Sequence, residues 1–260
     1  MAKKSPPAPV PLVSAAVRVL SVLEHLSHRR SLGLEEISRE ISLAKPTVYR
    51  FLLTLHELGY VRRCETDRWA ITLKLFNVGS RALDHLDLYS AGRPVAEELA
   101  DELGETVHMG VLEGDSAVYV LKIESRYTIR MFSRVGRRIP LYCSALGKAL
   151  LAYSTPKERN AALAGVRFVA FTDKTIRSRA ELDAELKRIR RQGFARDDQE
   201  HEEGVRCIGA PILDHTGAVV AALSAAWPDF RYKREEEAEK TARVVAAATR
   251  ISAILGWNPL

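Results

Sequence analysis

The segment 45–55 has the side chains of a helix that could bind nucleic acid. Pro46 suits a first helical turn, where its missing N–H costs no hydrogen bond, and Val48, Leu52 and Leu55 recur at the spacing of one buried helix face. The outer face then carries hydroxyl and cationic groups, which can bind base edges in the major groove and phosphates. These candidate DNA-binding residues are Lys45, Thr47, Tyr49, Arg50 and Thr54.

The sequence around this helix predicts a winged helix-turn-helix. Residues 34–41 have the apolar spacing of a preceding short helix, and residues 60–63 and 69–72 are strand-like runs around the polar turn 65–68. We interpret the hairpin as a wing whose arginines contact phosphates: Arg62, Arg63 and Arg68. Because helix-turn-helix spacing is only moderately specific, a small helical domain with a solvated basic face is the alternative.

Positive charge is concentrated near the amino terminus. The formal net charge is +6, and residues 1–75 hold 12 Lys and Arg against 7 Asp and Glu, whereas the remainder holds 27 against 26. This placement favours a phosphate-binding module in the first part of the chain. We find neither an apolar run near the ~20 residues that cross a bilayer nor a secretory signal, so we expect a cytoplasmic protein without a membrane partner.

The length of 260 residues allows two domains. We expect a disordered tail over 1–12, a winged helix-turn-helix domain over 13–73, a linker helix over 74–88 and a second domain over 89–260. Ser14 is the expected N-cap of the first helix. The linker carries an apolar stripe that a second copy of the same helix could cover, which predicts a homodimer.

The second domain is predicted to combine helices with one antiparallel sheet, which defines an α+β fold. Four arginines near residue 130 resemble a phosphate-binding cluster, but alternate residues of a strand point to opposite faces, so we do not expect Arg130, Arg134, Arg137 and Arg138 to converge. The predicted strands are 106–112, 117–123, 128–135, 206–213 and 218–227; the predicted helices are 89–103, with Pro94 near its first turn, 144–153, 179–192 and 233–255.

Five motifs stand out along the chain: KPTVYRFL at 45–52, LGYV at 58–61, LKLF at 73–76, PLYCSALGK at 140–148 and EEGVRCI at 202–208. Together they resemble the IclR family of transcription regulators, and the resemblance covers nearly the whole chain from Ser14. Within the family, residues 129–138 (IRMFSRVGRR) and the helix with YRFL at 49–52 are most similar to the KdgR-type repressors of pectin and hexuronate breakdown, which respond to 2-keto-3-deoxygluconate. Pro46 departs from the family, which usually has serine at that position.

This resemblance implies a winged-helix domain joined by a helix to an effector-binding domain with a GAF- or profilin-like antiparallel sheet. It also implies that a small acid binds there. Free N–H groups in a helix first turn at Ser144 suit a carboxylate, and Asp197 could accept a hydrogen bond from a ligand hydroxyl. The implied effector-binding residues are Thr128, Met131, Ile139, Ser144, Ala145, Leu146, Asp197, Val205, Cys207 and Ser224.

Each of these residues also has an ordinary structural explanation. Ser144 could simply cap its helix, Cys207 could pack as a small apolar residue, and Asp197 could belong to a solvated acidic loop. Where the family often has a second serine after Ser224, this chain has Ala226, which leaves the identity of the effector open.

An enzyme and a metal site are weaker interpretations. Cys207 with His201 and Asp197 or Asp198 is the one trio that could form an activated nucleophile on a small acid. Three scattered cysteines predict reduced thiols rather than a disulfide framework. The residues His108, Cys143, His201 and Cys207 have zinc-type ligands, but no paired spacing supports a site.

We therefore predict a DNA-binding regulator rather than an enzyme, with no cofactor. The expected partners are a near-palindromic double-stranded operator, a small organic acid, and a second copy of the chain in a dimer or a dimer of dimers. The regulator is expected to repress genes of carbohydrate or organic-acid catabolism. An activator that responds to an aromatic acid is the alternative within the family.

Overall fold

The structure is a computed structural model that describes residues 12–84, 87–129 and 131–257, without the side chains of residues 80, 82–84 and 87. Contacts divide the chain into two units, of which one ends at Ala82 and the other begins at Leu83. The predicted tail 1–12 lies outside the described residues except for Leu12.

The first unit contains the predicted winged helix-turn-helix. Its core is built from the apolar faces of the helices, on which Leu26, Ile37 and Leu52 are fully buried. Ser14 does not cap α1: the N-cap is Val13, without a side-chain hydrogen bond. The elements are α1 (Ser14–Ser27), β1 (Leu32–Gly33), α2 (Leu34–Glu40), α3 (Lys45–Glu57), β2 (Val61–Arg63) and β3 (Arg68–Ile71), with β3 central in an antiparallel sheet.

Two helices follow the wing, α4 (Leu73–Asp84) and α5 (Asp87–Leu103). The predicted linker helix 74–88 includes residues 85 and 86, which lie outside the described residues. The helix predicted from about Tyr89 to Leu103 is α5, which the structure describes from Asp87; Pro94 lies in its interior rather than near its first turn. Burial of Leu88 and Val95 in the core of the second unit stabilises the longer helix despite the proline.

A six-stranded antiparallel sheet organises the second unit. Its strands are β4 (Thr106–Glu113), β5 (Ser116–Ile123), β6 (Arg138–Pro140), β7 (Ala195–Asp198), β8 (Val205–Leu213) and β9 (Val219–Pro228), in the order β6-β5-β4-β9-β8-β7. The helices are α6 (Ala145–Tyr153), α7 (Pro156–Leu163), α8 (Arg179–Gln192) and α9 (Glu237–Ile254). Helices cover both faces of the sheet: α5 and α9 pack on one face, and α6 packs on the other beside α8.

The sequence-based elements are largely confirmed, and the largest difference concerns one strand. The predicted strand 128–135 does not form among its described residues. Side chains take up its carbonyl groups instead: Lys122 Nζ donates to the carbonyls of Met131 at 3.1 Å and Ser133 at 2.8 Å, so a strand ladder there is absent. The short elements β6, β7 and α7 were not predicted, and α9 begins at Glu237 rather than Lys233.

Candidate DNA-binding and effector-binding sites

The outer face of α3 carries the side chains expected to bind DNA. Lys45, Tyr49, Arg50 and Thr54 are exposed, and Thr47 is half-buried. The aromatic ring of Tyr49 packs edge-on against Trp69 of the wing, with ring centroids 6.4 Å apart. This contact orients Tyr49 while leaving 38% of the residue exposed.

Two of these α3 side chains already have partners within the domain. Lys45 forms an ion pair with Glu35 at the start of α2, and this contact lowers the pKa of the Glu35 carboxyl. The Thr54 hydroxyl donates to the Arg50 carbonyl at 2.9 Å. Exposed ion pairs contribute little to stability, so Lys45 can exchange Glu35 for a phosphate, whereas Thr54 is satisfied within its own helix.

The three wing arginines have different environments. Arg62 is exposed at the edge strand β2, and Arg63 pairs with Asp67 across the turn at 2.6 Å. Arg68, which was expected to face phosphates, instead points back into the domain. Its guanidinium donates to Glu36 at 2.8 Å and to the Ser31 carbonyl at 3.0 Å, because the antiparallel pairing of β3 with β1 brings these residues together.

A cavity lies against the α6 side of the sheet in the second unit. It contains about 580 Å³ of space free of protein atoms, including space open to solvent. Nine of the ten residues expected to bind an effector line it, so the tertiary structure brings together segments from across the domain. The nine are Met131, Ile139, Ser144, Ala145, Leu146, Asp197, Val205, Cys207 and Ser224.

Thr128 is the exception. It is exposed and does not line the cavity, because the strand predicted to direct it inward does not form. Arg231 donates instead to the neighbouring carbonyl of Ile129 at 3.0 Å, which holds this part of the loop at the surface.

The first turn of α6 forms one wall of the cavity. Ser144 caps the helix, since its hydroxyl accepts from Gly147 N at 3.1 Å and donates to the Pro140 carbonyl at 2.6 Å. As the first residues of a helix, Ala145 and Leu146 have N–H groups without an intrahelical acceptor. The helix cap uses the N–H of Gly147, whereas the N–H groups of Ala145 and Leu146 remain for an anion. This wall of the cavity therefore suits a carboxylate.

Asp197 of β7 also lines the cavity and is 4% exposed. Its Oδ1 accepts from Glu200 N at 2.7 Å and from His201 N at 3.4 Å. Burial is the main cause that raises the pKa of this carboxyl to about 7. The alternative that Asp197 belongs to a solvated acidic loop is wrong, because β7 carries it into the domain.

His108 and Tyr119 add a stacked pair of rings to the cavity, with centroids 4.5 Å apart. Burial lowers the pKa of His108 to about 3, so the imidazole is neutral at physiological pH. Its Nε2 lies 2.7 Å from the Ser133 hydroxyl. The neutral imidazole of His108 and the Ser133 hydroxyl are therefore two uncharged polar groups that line the cavity.

Sequence reasoning did not assign these and several other cavity residues to the site. Pairing of β4 with β9 places His108 opposite Ser224. The sequence alone shows neither which strands pair nor their register. Ala226, at the family's second serine position, lines the cavity and offers no hydroxyl. The cavity residues absent from the sequence-based list of effector-binding residues are His108, Tyr119, Phe132, Ser133, Arg137, His201, Glu202 and Ala226.

The geometry does not favour a cysteine nucleophile. Burial raises the pKa of the Cys207 thiol well above its usual range, whereas a nucleophilic cysteine needs a lowered pKa. Within residues 12–84, 87–129 and 131–257, no group of three or more His, Cys, Asp and Glu side chains is arranged to hold a metal. The set His108, Cys143, His201 and Cys207 therefore does not form such a cluster.

A winged helix-turn-helix and a separate ligand cavity on a second unit define a transcription regulator of the ligand-responsive class. Models of two protein families match the chain: the IclR helix-turn-helix domain over residues 15–64 and the bacterial transcriptional regulator IclR C-terminal domain over residues 80–253. The protein belongs to the IclR family. The families and the matching relatives are all transcriptional regulators rather than enzymes.

Similar proteins support this assignment over most of the chain. The HTH-type transcriptional regulator KdgR of Escherichia coli K12 is 42% identical over 95% of this chain and 94% of its own, and KdgR of Dickeya chrysanthemi is 40% identical over 95% and 81%. The structure of Thermotoga maritima IclR matches with a TM-score of 0.81 at 29% identity, covering 95% and 100% of the two chains. The C-terminal domain of E. coli KdgR matches with a TM-score of 0.61 at 39% identity, covering 66% and 100%.

The described part of the chain includes no helix that is both long and apolar enough to cross a membrane.

Proposed function

We propose that this KdgR-like regulator is a cytoplasmic repressor of genes for carbohydrate or organic-acid catabolism, and that a small keto-sugar acid such as 2-keto-3-deoxygluconate controls it. The observation that carries the proposal is the cavity, whose lining combines a helix first turn that suits a carboxylate with hydroxyl, imidazole and carboxyl groups. A linear polyhydroxy acid offers complementary groups at both ends, an anion for Ala145 and Leu146 and hydroxyls for Ser224, Ser133 and Asp197.

The DNA-binding part of the proposal depends on the exposed face of α3. Arg50 is exposed there, and no ion pair is described for its guanidinium, so it is available for a phosphate or a guanine edge. Lys45 and Tyr49 flank it on the same helix. Arg62 and Arg63 of the wing would add phosphate contacts, whereas Arg68 is withdrawn from this set.

A dimer would place two such helices on a near-palindromic operator with half-sites about 34 Å apart. Apolar residues on α4 support dimer formation, since Leu73, Phe76 and Val78 are at least half exposed and isolated chains rarely leave such groups in water. A second copy is the partner proposed for this helix, and a dimer of dimers would extend the same symmetry.

Calorimetry together with operator binding tests the proposed function. We expect 2-keto-3-deoxygluconate to bind the wild-type protein and to release it from its upstream operator in a mobility-shift assay, because the ligand must favour the arrangement with low DNA affinity. Pyruvate, glyoxylate and 4-hydroxybenzoate serve as comparison acids.

Ser224→Ala is the cavity variant for this test. It should weaken effector binding while operator affinity without effector stays unchanged, because the hydroxyl lines the cavity of the second unit. Tight binding of 4-hydroxybenzoate with no binding of the keto-sugar acid would overturn the proposed effector class.

A further inference from the structure

Only one oxygen of the Asp197 carboxyl has hydrogen-bond partners. Both described donors, the N–H groups of Glu200 and His201, reach Oδ1, and no described donor reaches Oδ2. The residue is 4% exposed and lines the cavity. An ionised carboxylate that is 4% exposed and has donors on only one oxygen is poorly solvated, which is costly.

The Lys148 charge favours the ionised form of Asp197, but desolvation outweighs it. From α6, the buried ammonium of Lys148 acts on Asp197 but is already bonded to Glu200 and lies 3.9 Å from Glu185 of α8. Glu200 adds a like charge from the adjoining turn. These ionisable neighbours therefore leave the carboxyl without a cation of its own.

A second pocket lined by Asp197 also holds Arg196 and Arg206, which pair with other carboxylates, and the exposed Arg234. The other titratable side chains that line the cavity are uncharged or exposed. Across the strand pair, Cys207 of β8 lies opposite Asp197, and burial raises the pKa of the Cys207, Cys143 and Tyr119 side chains, so all three are neutral. The imidazoles of His108 and His201 have lowered pKa values for the same reason. Arg137 and Glu202 line the cavity, are exposed and carry opposite charges.

We propose that Asp197 binds the effector as a neutral carboxylic acid whose Oδ2–H donates a hydrogen bond to the ligand, so that an anionic effector is taken up together with one proton. The proton comes from solvent and attaches to Oδ2; no other bond forms or breaks. This inference rests on the proposed effector, and it replaces the expectation that Asp197 accepts a hydrogen bond from a ligand hydroxyl.

A pH dependence of effector binding follows. Because burial raises the pKa of Asp197 to about 7, the free protein already carries the proton at pH 6 and has lost it at pH 8. An anionic ligand favours the neutral form further. Effector affinity should therefore be constant below pH 6 and fall about tenfold per pH unit above pH 7.

Calorimetry in two buffers with different ionisation enthalpies measures this proton directly. With 2-keto-3-deoxygluconate, wild-type protein should take up roughly 0.9 proton at pH 8 and roughly 0.1 at pH 6. The Asp197→Asn variant carries an amide that is always neutral and has both a carbonyl oxygen and an N–H donor. It should retain effector binding but lose both the proton uptake and the pH dependence of affinity. Glu203→Gln, an exposed neighbour outside the cavity, should behave as wild type.

Two results would overturn the inference. Absence of proton uptake at pH 8, or loss of binding in Asp197→Asn at pH 6, would show that an ionised Asp197 accepts a hydrogen bond.

A second measurement without ligand separates this inference from the proposed function. A group whose pKa is raised by folding contributes stability below its unfolded pKa and loses that contribution as pH rises through the folded value. The melting temperature of wild-type protein should therefore fall relative to Asp197→Asn between pH 5 and pH 8, whereas Glu203→Gln should follow wild type. Parallel curves would overturn the neutral carboxyl even if every keto acid bound; failure of all acids to bind would instead remove the proposed effector.

Discussion

At the scale of single residues, identical side chains have different roles because of what surrounds them. Arg50 and Arg68 were both expected to face DNA. Arg50 is exposed on α3, whereas the Arg68 guanidinium is hydrogen-bonded to Ser31 and Glu36. The Glu36 carboxylate also accepts from Gly33 N at 2.7 Å, and that bond is the main reason why its pKa is lowered. Arg68 therefore ties the wing to α2 rather than serving as a free cation.

Arg50→Ala should weaken operator binding, and Arg68→Ala provides the matched control. Removing one contact to a base or phosphate costs about 1–3 kcal/mol, so we expect roughly a 5- to 150-fold loss of affinity for Arg50→Ala with an unchanged melting temperature. Arg68→Ala should lower the melting temperature and have the smaller effect on operator affinity of the folded protein. Mobility shifts at several salt concentrations measure both.

A reversed ranking of these two variants would contradict the assignment of α3 as the helix that contacts the operator. An Arg50→Ala protein with wild-type operator affinity would do so as well.

At the scale of elements, the position of α6 depends on close backbone packing. A Cβ on Gly147 would lie 2.5 Å from Leu141 Cα, and one on Gly209 of β8 would lie 2.9 Å from the Ala145 carbonyl oxygen. The first turn of α6 therefore sits directly on the sheet, where a larger residue would displace it. This approach brings the Ala145 and Leu146 N–H groups to the cavity wall.

Lys148 ties α6 to the turn after β7. Its side chain is fully buried, pairs with Glu200 and lies 3.9 Å from Glu185. The same turn supplies the backbone N–H groups that bind Asp197. The Lys148–Glu200 ion pair does not line the cavity, but it holds the turn that positions Asp197 in the cavity wall.

Lys148→Met should destabilise the second unit by about 3–5 kcal/mol, because it leaves the Glu200 charge buried without a partner. Adding Glu200→Gln should restore part of the loss, since the uncompensated charge is then removed. Lys187→Met, on the exposed face of α8, is the control and should stay within about 0.5 kcal/mol of wild type. Urea unfolding measures all three, and equal stability of Lys148→Met and Lys187→Met would contradict a supporting role for the buried pair.

At the scale of the whole molecule, the two units place DNA binding and effector binding on separate parts of the chain. The candidate DNA-binding residues all precede Ala82, and the cavity residues all follow Leu83. Control of one site by the other then requires a coupling free energy, which acts equally in both directions.

The coupling should appear as the same factor in two separate experiments. If saturating 2-keto-3-deoxygluconate lowers operator affinity by a factor in the usual range of about 5 to 150, saturating operator must lower effector affinity by that factor. Fluorescence titration of labelled operator and calorimetry with and without operator give the two values. An operator affinity that is insensitive to saturating effector would contradict allosteric control by this acid.

The amino-acid pattern was sufficient to predict most local structure and the class of protein. Helical spacing and a terminal glycine located α8 at residues 179–192 correctly, and the strands β8 and β9 were found as a hairpin. The motifs at 45–52 and 140–148 identified the family. Such features depend on neighbours along the chain, so a sequence carries them directly.

Long-range contacts determined the rest. The strand order that sets His108 beside Ser224, the withdrawal of Arg68 toward Glu36, and the loop that replaces the strand at 128–135 all depend on residues distant in sequence. The protonation of Asp197 is of the same kind, because desolvation by the folded domain, rather than its acidic sequence neighbours, is the largest influence on its pKa. Residue type specifies which hydrogen bonds and charges are available, and only three-dimensional packing determines which of them are excluded from water.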